Sequence, residues 1–131
     1  MIDAVNVAAQ TVNTNSPVLF GSTRIKTGCA IRHEEGSGRF VLLKPGVYEI
    51  SFSANMTSAT AATATFNITQ DGEQLAGAKI VSTIAAAGVN NVSCTTLARV
   101  YCSDVSSISI TNIGTTAITV SDANMTITRL C

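Results

Sequence analysis

Charge is what this sequence has least of. Asp, Glu, Lys and Arg make up 12 % of its 131 residues, about half the usual share. The 8 basic and 8 acidic groups cancel to a formal net charge of +0. A nucleic-acid binder needs clustered Lys and Arg to displace counterions, and a peripheral membrane anchor needs a polybasic run. Neither is present, so nucleic acid and membrane are not expected partners. A chain with so little charge also has little self-repulsion to hold copies apart. Much of its surface is therefore expected to be interface, in a homo-oligomer or a larger assembly.

Catalytic and metal-binding material is equally scarce. His33, in "AIRHEEGSGR", is the single histidine. Beside Glu34 and Glu35 it could act as an acid–base group, but a polar strand end running into a turn explains it better. One His without paired Cys or acid ligands does not make a metal site, and any Ser-His-Asp arrangement would have to pass through it. "GSG" lacks the following Lys and helix of a phosphate loop. Asp71, Glu73, Asp104 and Asp122 sit at turns without the Asp-x-Asp-x-Asp run of a calcium loop. No catalytic residue, cofactor or metal is expected, and the chain is not expected to be an enzyme.

The four cysteines, Cys29, Cys94, Cys102 and Cys131, are too scattered for a disulfide framework and include no Cys-x-x-Cys. Cys94 and Cys102 share strand parity with Val92, Thr96, Ala98 and Val100. That predicts two buried, reduced thiols; the terminal Cys131 is a candidate for exposure. Asn55, Asn67, Asn91 and Asn124 head Asn-x-Ser/Thr sequons, expected by-products of an Asn/Thr-rich chain. No window approaches ~18 consecutive apolar residues, the length of a membrane helix. The first residues, "MIDAVNVAAQTVNTNSP", show no basic run before an apolar core. Assembly in the cytoplasm, without general secretion, is the expectation.

What remains is abundant in apolar and β-branched residues. Apolar side chains are 46 % of the chain, enough for a core in one domain spanning residues 1–131. Short alternating runs broken by Gly or Asn/Asp turns recur throughout, the pattern of an all-β sandwich or barrel. "DAVNVAAQTV" reads as a first strand with Val5 and Val7 on one face, and "SPVLFG" as an apolar hook. "CAIRHEEGSGRFVLL" reads as two strands around Gly-Ser-Gly. "GVYEISFSANMTSA" is a long strand alternating Tyr48, Ile50, Phe52, Ala54 and Met56 with polar residues. "TATFNITQDGEQLAGAKIVST" is a hairpin whose Asp71-Gly72 suits a tight primed turn. "VNNVSCTTLARVYC" is another long strand. "SSISITNIGTTAITVSD" reads as a pair turning near Gly114, and "ANMTITRL" as a closing strand with Met125 and Ile127 inward. "TIAAAGV" is a loop or strand end. Eight to ten strands result.

Three features in order carry a resemblance: the strand start "PGVYEISFSA", the hairpin "FNITQDGEQLAGA" and the closing "ANMTITRL". Together they resemble the C1q/TNF-like jelly roll, in its bacterial and phage branch, which includes the C-terminal domain of the Bacillus exosporium glycoprotein. The resemblance runs from Val5 to Leu130. It implies an all-β, two-sheet sandwich of antiparallel strands that assembles as a homotrimer and acts as a ligand-binding or adhesive head. The chain departs from several relatives in lacking a collagen Gly-X-Y stalk.

The candidate functional residues lie on the polar strand faces. Ser51, Ser53 and Asn55 form one row, and Asn91, Ser93 and Thr95 another. A solvated sheet face normally carries Lys and Glu, and these rows do not. Short hydroxyl and amide groups can meet across a subunit seam without the desolvation cost of charges. Leu97 and Tyr101 share the second row's face and would be its apolar anchors. The trimer interface is thus expected at Ser51, Ser53, Asn55, Ser93, Thr95, Leu97 and Tyr101. The function expected is that of a virion structural protein of a bacteriophage, a capsid decoration, head fibre or tail-associated receptor-binding module. Its expected partners are copies of itself, other virion proteins and a host cell-surface glycan. A bacterial surface or spore-coat adhesion domain is the alternative.

Overall fold

Strict alternation of apolar and polar residues builds two facing sheets in the computed structural model, which describes residues 1–102 and 105–131. The strands among them are β1 (Ile2–Asn6), β2 (Gln10–Val12), β3 (Ser22–Lys26), β4 (Ile31–His33), β5 (Phe40–Leu42), β6 (Gly46–Thr57), β7 (Ala62–Gln70), β8 (Glu73–Ile84), β9 (Val89–Val100), β10 (Ser106–Asn112) and β11 (Ile118–Arg129). One sheet runs β3-β1-β11-β6-β9, with β2 also paired to β11, and the other runs β4-β5-β10-β7-β8. All pairings are antiparallel.

The core lies between the sheets. On β6, Tyr48, Ile50, Phe52, Ala54 and Met56 are all buried, as the alternation predicts. Phe20 sits edge-on to Phe40 at 5.4 Å and to Phe52 at 6.3 Å between ring centroids, a geometry aromatic quadrupoles favour. Phe20 and Val18 are the buried residues of the apolar hook. The buried Tyr48 keeps its hydroxyl satisfied by donating to the Lys44 carbonyl at 2.7 Å.

Two glycines explain two sequence signals. Asp71 and Gly72 both have positive φ, 53° and 85°, as a primed two-residue turn requires. A Cβ on Gly72 would meet nothing within 4 Å, so only the backbone preference opposes it. Gly46 is different. Its φ is 144°, and a Cβ there would lie 2.1 Å from the Cys131 carbonyl oxygen. That oxygen accepts from the Val47 amide at 3.2 Å, and Leu130 donates to the Val47 carbonyl at 2.7 Å. The glycine before Val-Tyr is thus where the chain's end crosses β6. Gly72→Ala is expected to cost about 1–2 kcal/mol, and Gly46→Ala roughly 3 kcal/mol or more because strain and clash combine. Urea denaturation of the two variants side by side checks the order; equal losses would refute this account of Gly46.

Several expectations are corrected. The first stretch is two strands, and its inward apolar residues are Ala4 and Val12, with Ile2 just before it, whereas Val5 is half-buried and Val7 exposed. The break falls opposite a bulge in β11, where Asp122 has φ 49° and donates its amide to the Val7 carbonyl. Ser22–Lys26 adds an edge strand, so the described residues form eleven strands where eight to ten were expected. The stretch around Gly114 is no hairpin. β10 and β11 lie in opposite sheets, and Asn112 ties the crossing by donating to the Val12 and Thr116 carbonyls and accepting from the Gly114 amide, each at 3.0 Å. "AITVSD" and "ANMTITRL" join into one strand, β11.

Cys94 is only half-buried, and Cys102 lies past the end of β9 and is exposed, because strand parity ends at Val100. Burial pushes the Cys94 thiol up. Cys29 and Cys131 are exposed. Asp104 lies outside the described residues.

Candidate functional site

The outer face of the six-stranded sheet brings the candidate polar residues together. β6 and β9 pair in a register that sets Ser51 opposite Thr95, Ser53 opposite Ser93 and Asn55 opposite Asn91. The Ser51 and Thr95 hydroxyls lie 3.2 Å apart. Asn91 donates its amide to Asn55 Oδ1 at 2.9 Å and to the Ala54 carbonyl at 3.4 Å. Ser51, Ser53 and Asn55 are half-buried, and Asn91, Ser93 and Thr95 are exposed on the edge strand. The rows from Ser51 to Asn55 and from Asn91 to Leu97 carry no charge.

The field continues onto β11, which the sequence reading missed. Thr126 stands opposite Ser51, Asn124 opposite Ser53 and Ser121 opposite Asn55. The signal was present, because Asn124, Thr126 and Thr128 alternate with the inward Met125 and Ile127. Asp3 on β1 closes this side. It is 7 % exposed and accepts from Asn124 Nδ2 and, at 3.3 Å, from Thr126 Oγ1. Arg24 pairs with its other oxygen at 3.5 Å. The carboxylate is neutralised locally, leaving the middle of the face uncharged.

Leu97 and Tyr101 are 57 % and 63 % exposed, large side chains standing out from the face. Leu97 stands opposite Glu49. Tyr101 lies just beyond β9, with the Arg99 guanidinium 5.1 Å over its ring, a cation–π contact. Val89, at the other end of β9, is 64 % exposed. β9 is also the sheet's edge, where unpaired backbone groups invite another chain. The face therefore combines a neutral hydrogen-bonding field with apolar anchors along one margin.

His33 is structural. Its Nε2 donates to the Ser37 carbonyl at 2.8 Å, its Nδ1 lies 3.0 Å from Thr23 Oγ1, and its ring stacks on Phe40 at 4.3 Å. With Nε2 bound to a carbonyl, which only accepts, Nδ1 takes the Thr23 hydroxyl proton in the neutral ring. Neither nitrogen is left to serve a substrate. Asp71 Oδ1 is likewise occupied, accepting from the Ser107 amide at 2.8 Å. Among the described residues no cluster of three or more His, Cys, Asp or Glu side chains is placed to hold a metal ion.

Two antiparallel sheets in this strand order, with the first and last strands side by side in the larger one, define a C1q/TNF-like jelly roll. Solved structures bear this out. The globular domain of zebrafish complement 1qA protein aligns with a TM-score of 0.74 at 13 % identity, covering 99 % of this chain and 96 % of that one. Murine APRIL aligns at 0.73 and 12 % identity, covering 98 % and 97 %. The PRD1 vertex protein P5 aligns at 0.51 and 14 % identity, covering 99 % and 96 %. No family model and no curated protein matches the sequence.

Proposed function

We propose that the chain is a non-enzymatic, homotrimeric structural or adhesive module of a bacteriophage particle, a capsid decoration, head fibre or tail-associated receptor-binding head. The observation that carries this reading is the outer face of the six-stranded sheet. Its uncharged hydroxyl and amide rows cost far less to desolvate than charged ones, and Leu97, Tyr101 and Val89 supply apolar area beside them. A face of this kind suits a seam between identical subunits. Ser51, Ser53, Asn55, Ser93, Thr95, Leu97 and Tyr101 are its proposed contacts.

The placement in a virion has two supports. A fold shared with a phage vertex protein, PRD1 P5, fits attachment at a symmetric position of a shell. Four free cysteines, three of them exposed, fit assembly in a reducing compartment. Solution mass tests the assembly. At micromolar concentration the expected species is three times the 13.5 kDa chain; a clean monomer would sink the trimer. Capsid, portal or terminase genes beside the coding sequence are expected, and spore-coat genes in that position would move the protein to a bacterial surface.

A further inference from the structure

We infer that the backbone edge of β9 takes the same edge of a second copy, antiparallel and about a two-fold axis at Ser93, so that the six-stranded sheet runs on into a neighbouring molecule. This contact goes beyond the seam proposed above and does not depend on it. The seam uses the face of the sheet, and this pairing uses its edge.

The two sheets end in β3, β9, β4 and β8. Edge strands are normally blunted by shortness, charge or a bulge, and three of these are. β3 has five residues, Arg24 and Lys26 among them, and a register shift against β1. β4 has three residues, including Arg32 and His33. β8 carries Glu73 and Lys79. Its partner Asn67 pairs with Lys79 and Thr69 with Gln74, so residues 75–78 bulge against Ile68 alone. β9 has none of these guards. It runs twelve residues, pairs with β6 along its whole length without a shift, and carries no charge from Val89 to Ala98.

The ladder fixes which backbone groups face out. Val47 donates its amide to the Cys131 carbonyl and accepts from the Leu130 amide, both on the β11 side. Arg99, its partner across the ladder, therefore turns its own amide and carbonyl away from β6. An unshifted ladder repeats this every second residue, so Leu97, Thr95, Ser93, Asn91 and Val89 do likewise. All of them are exposed. Among the described residues, only the Arg99 carbonyl of this series has a partner, Gln70 Nε2 at 3.0 Å. From Val89 to Leu97 the edge is an open ladder.

The order of the side chains selects the occupant. On the outer face, Asn91 and Thr95 flank Ser93, and Val89 and Leu97, 64 % and 57 % exposed, lie beyond them at equal distance. A two-fold axis at Ser93 sets Ser93 against its own copy, Asn91 against Thr95 and Val89 against Leu97. On the inner face it sets Val92 against Cys94 and Asn90 against Thr96. Polar meets polar and apolar meets apolar at every position. Moving the axis to Cys94 would oppose Asn91 to Leu97 and Val89 to Arg99. A charge near a two-fold axis faces its own copy, and like charges directly opposite are destabilising; with the axis at Ser93, Arg99 lies across from Ala87, beyond the other copy's strand. An unrelated peptide has no reason to match this symmetry, whereas a second copy always does. Cross-strand neighbours touch side by side in the plane of the sheet, which leaves the face over Ser53 and Asn124 free. A single strand pair falls short of the roughly 1,200 Å² that stable complexes bury. It is therefore expected to form between micromolar and millimolar concentration, and wherever an array holds copies side by side.

Two measurements on the full chain test this. Solution mass followed from micromolar to millimolar concentration is expected to rise at least twofold, from three chains to six or more. Ser93→Cys reads the register. In a hydrogen-bonded antiparallel pair the Cα atoms lie about 5.5 Å apart, within disulfide range. The exposed Cys29, Cys102 and Cys131 are first replaced by Ser, and oxidised glutathione is the oxidant. Two Ser93→Cys chains are then expected to join through their residues 93, releasing two reduced glutathiones, with the link located by peptide fragmentation. Asn91→Cys and Thr95→Cys chains should each stay unlinked alone and link when mixed. A mass that never rises, or Thr95→Cys chains that link to one another as readily as Ser93→Cys chains, would overturn the pairing. Mass also keeps the two contacts apart. Three chains at every concentration removes the edge pairing and leaves the seam, whereas one chain rising to two removes the seam and leaves the edge pairing.

Discussion

Ser53→Lys is expected to convert the assembly from three chains to one. Ser53 lies in the middle of the uncharged face, opposite Ser93 on one side and Asn124 on the other. A lysine there would bring an ammonium into the seam with no partner. Asp3, beyond β11, is already held by Arg24, Asn124 and Thr126, and Glu49 stands two rows away on the same strand. Leaving a buried charge unpaired costs about 3–5 kcal/mol. Every subunit of a closed trimer carries the change, so the penalties accumulate and micromolar protein should run as a monomer. Leu97→Asp is expected to act in the same direction, by about 2 kcal/mol or more, through loss of an apolar anchor. Ser53→Ala should leave the mass unchanged. Both positions face away from the core, so the monomers should keep the parent's strand content by circular dichroism. A Ser53→Lys chain that stays trimeric at micromolar concentration would remove this face as the interface.

The readable part of the structure was the part set by period two. Tyr48 to Met56 had to face one way whatever they packed against, and Ser51, Ser53 and Asn55 the other. The same logic carried Asn91, Ser93 and Thr95. What alternation cannot give is the partner of a strand. That β6 and β9 lie side by side, about 40 residues apart in the chain, comes from long-range closure of the sheet. Only that pairing turns two rows into one field. The same blindness made β10 and β11 look like a hairpin, because a short Gly-containing link serves a turn within a sheet and a crossing between sheets equally well. Asn112, buried with its amide fully used by the crossing, was the residue that distinguished them.

Parity misled where a strand broke. Val5 and Val7 are better strand formers than Ala4, but the bulge at Asp122 fixes β1 with Ile2 and Ala4 inward. Extending the parity of β9 past Val100 buried Cys102 on paper, while the strand had already ended. Asp3 was unreadable for another reason. Its burial depends on Arg24 from β3 and on Asn124 and Thr126 from β11, neighbours on either side of β1 that only the assembled sheet brings together. On β6 the half-buried Ser51 and Asn55 meet neutral neighbours, Thr95 and Asn91, and the low charge of the whole chain is the sequence-level trace of this.

The two faces of β6 can be separated by one further pair of substitutions. Phe52→Ala is expected to lower stability by about 3–5 kcal/mol, the usual cost of emptying a buried aromatic site. Phe52 is fully buried and meets Phe20, which in turn meets Phe40. These three rings come from the hook, β5 and β6, so the cavity would open where both sheets and the hook converge. With aromatics at 5 % of the chain, few large side chains are at hand to refill it. Ser53→Ala, one residue along, should change stability by less than about 0.5 kcal/mol, as surface substitutions do. Urea midpoints measured at matched chain concentration check the contrast, since assembly makes stability concentration-dependent. Equal midpoints would contradict the assignment of the faces. The pair also separates folding from assembly: Phe52→Ala should unfold in less urea yet remain trimeric in its absence, whereas Ser53→Lys should fold and fail to assemble. One strand would then carry the core on one side and the contact between subunits on the other, with neither substitution able to imitate its neighbour.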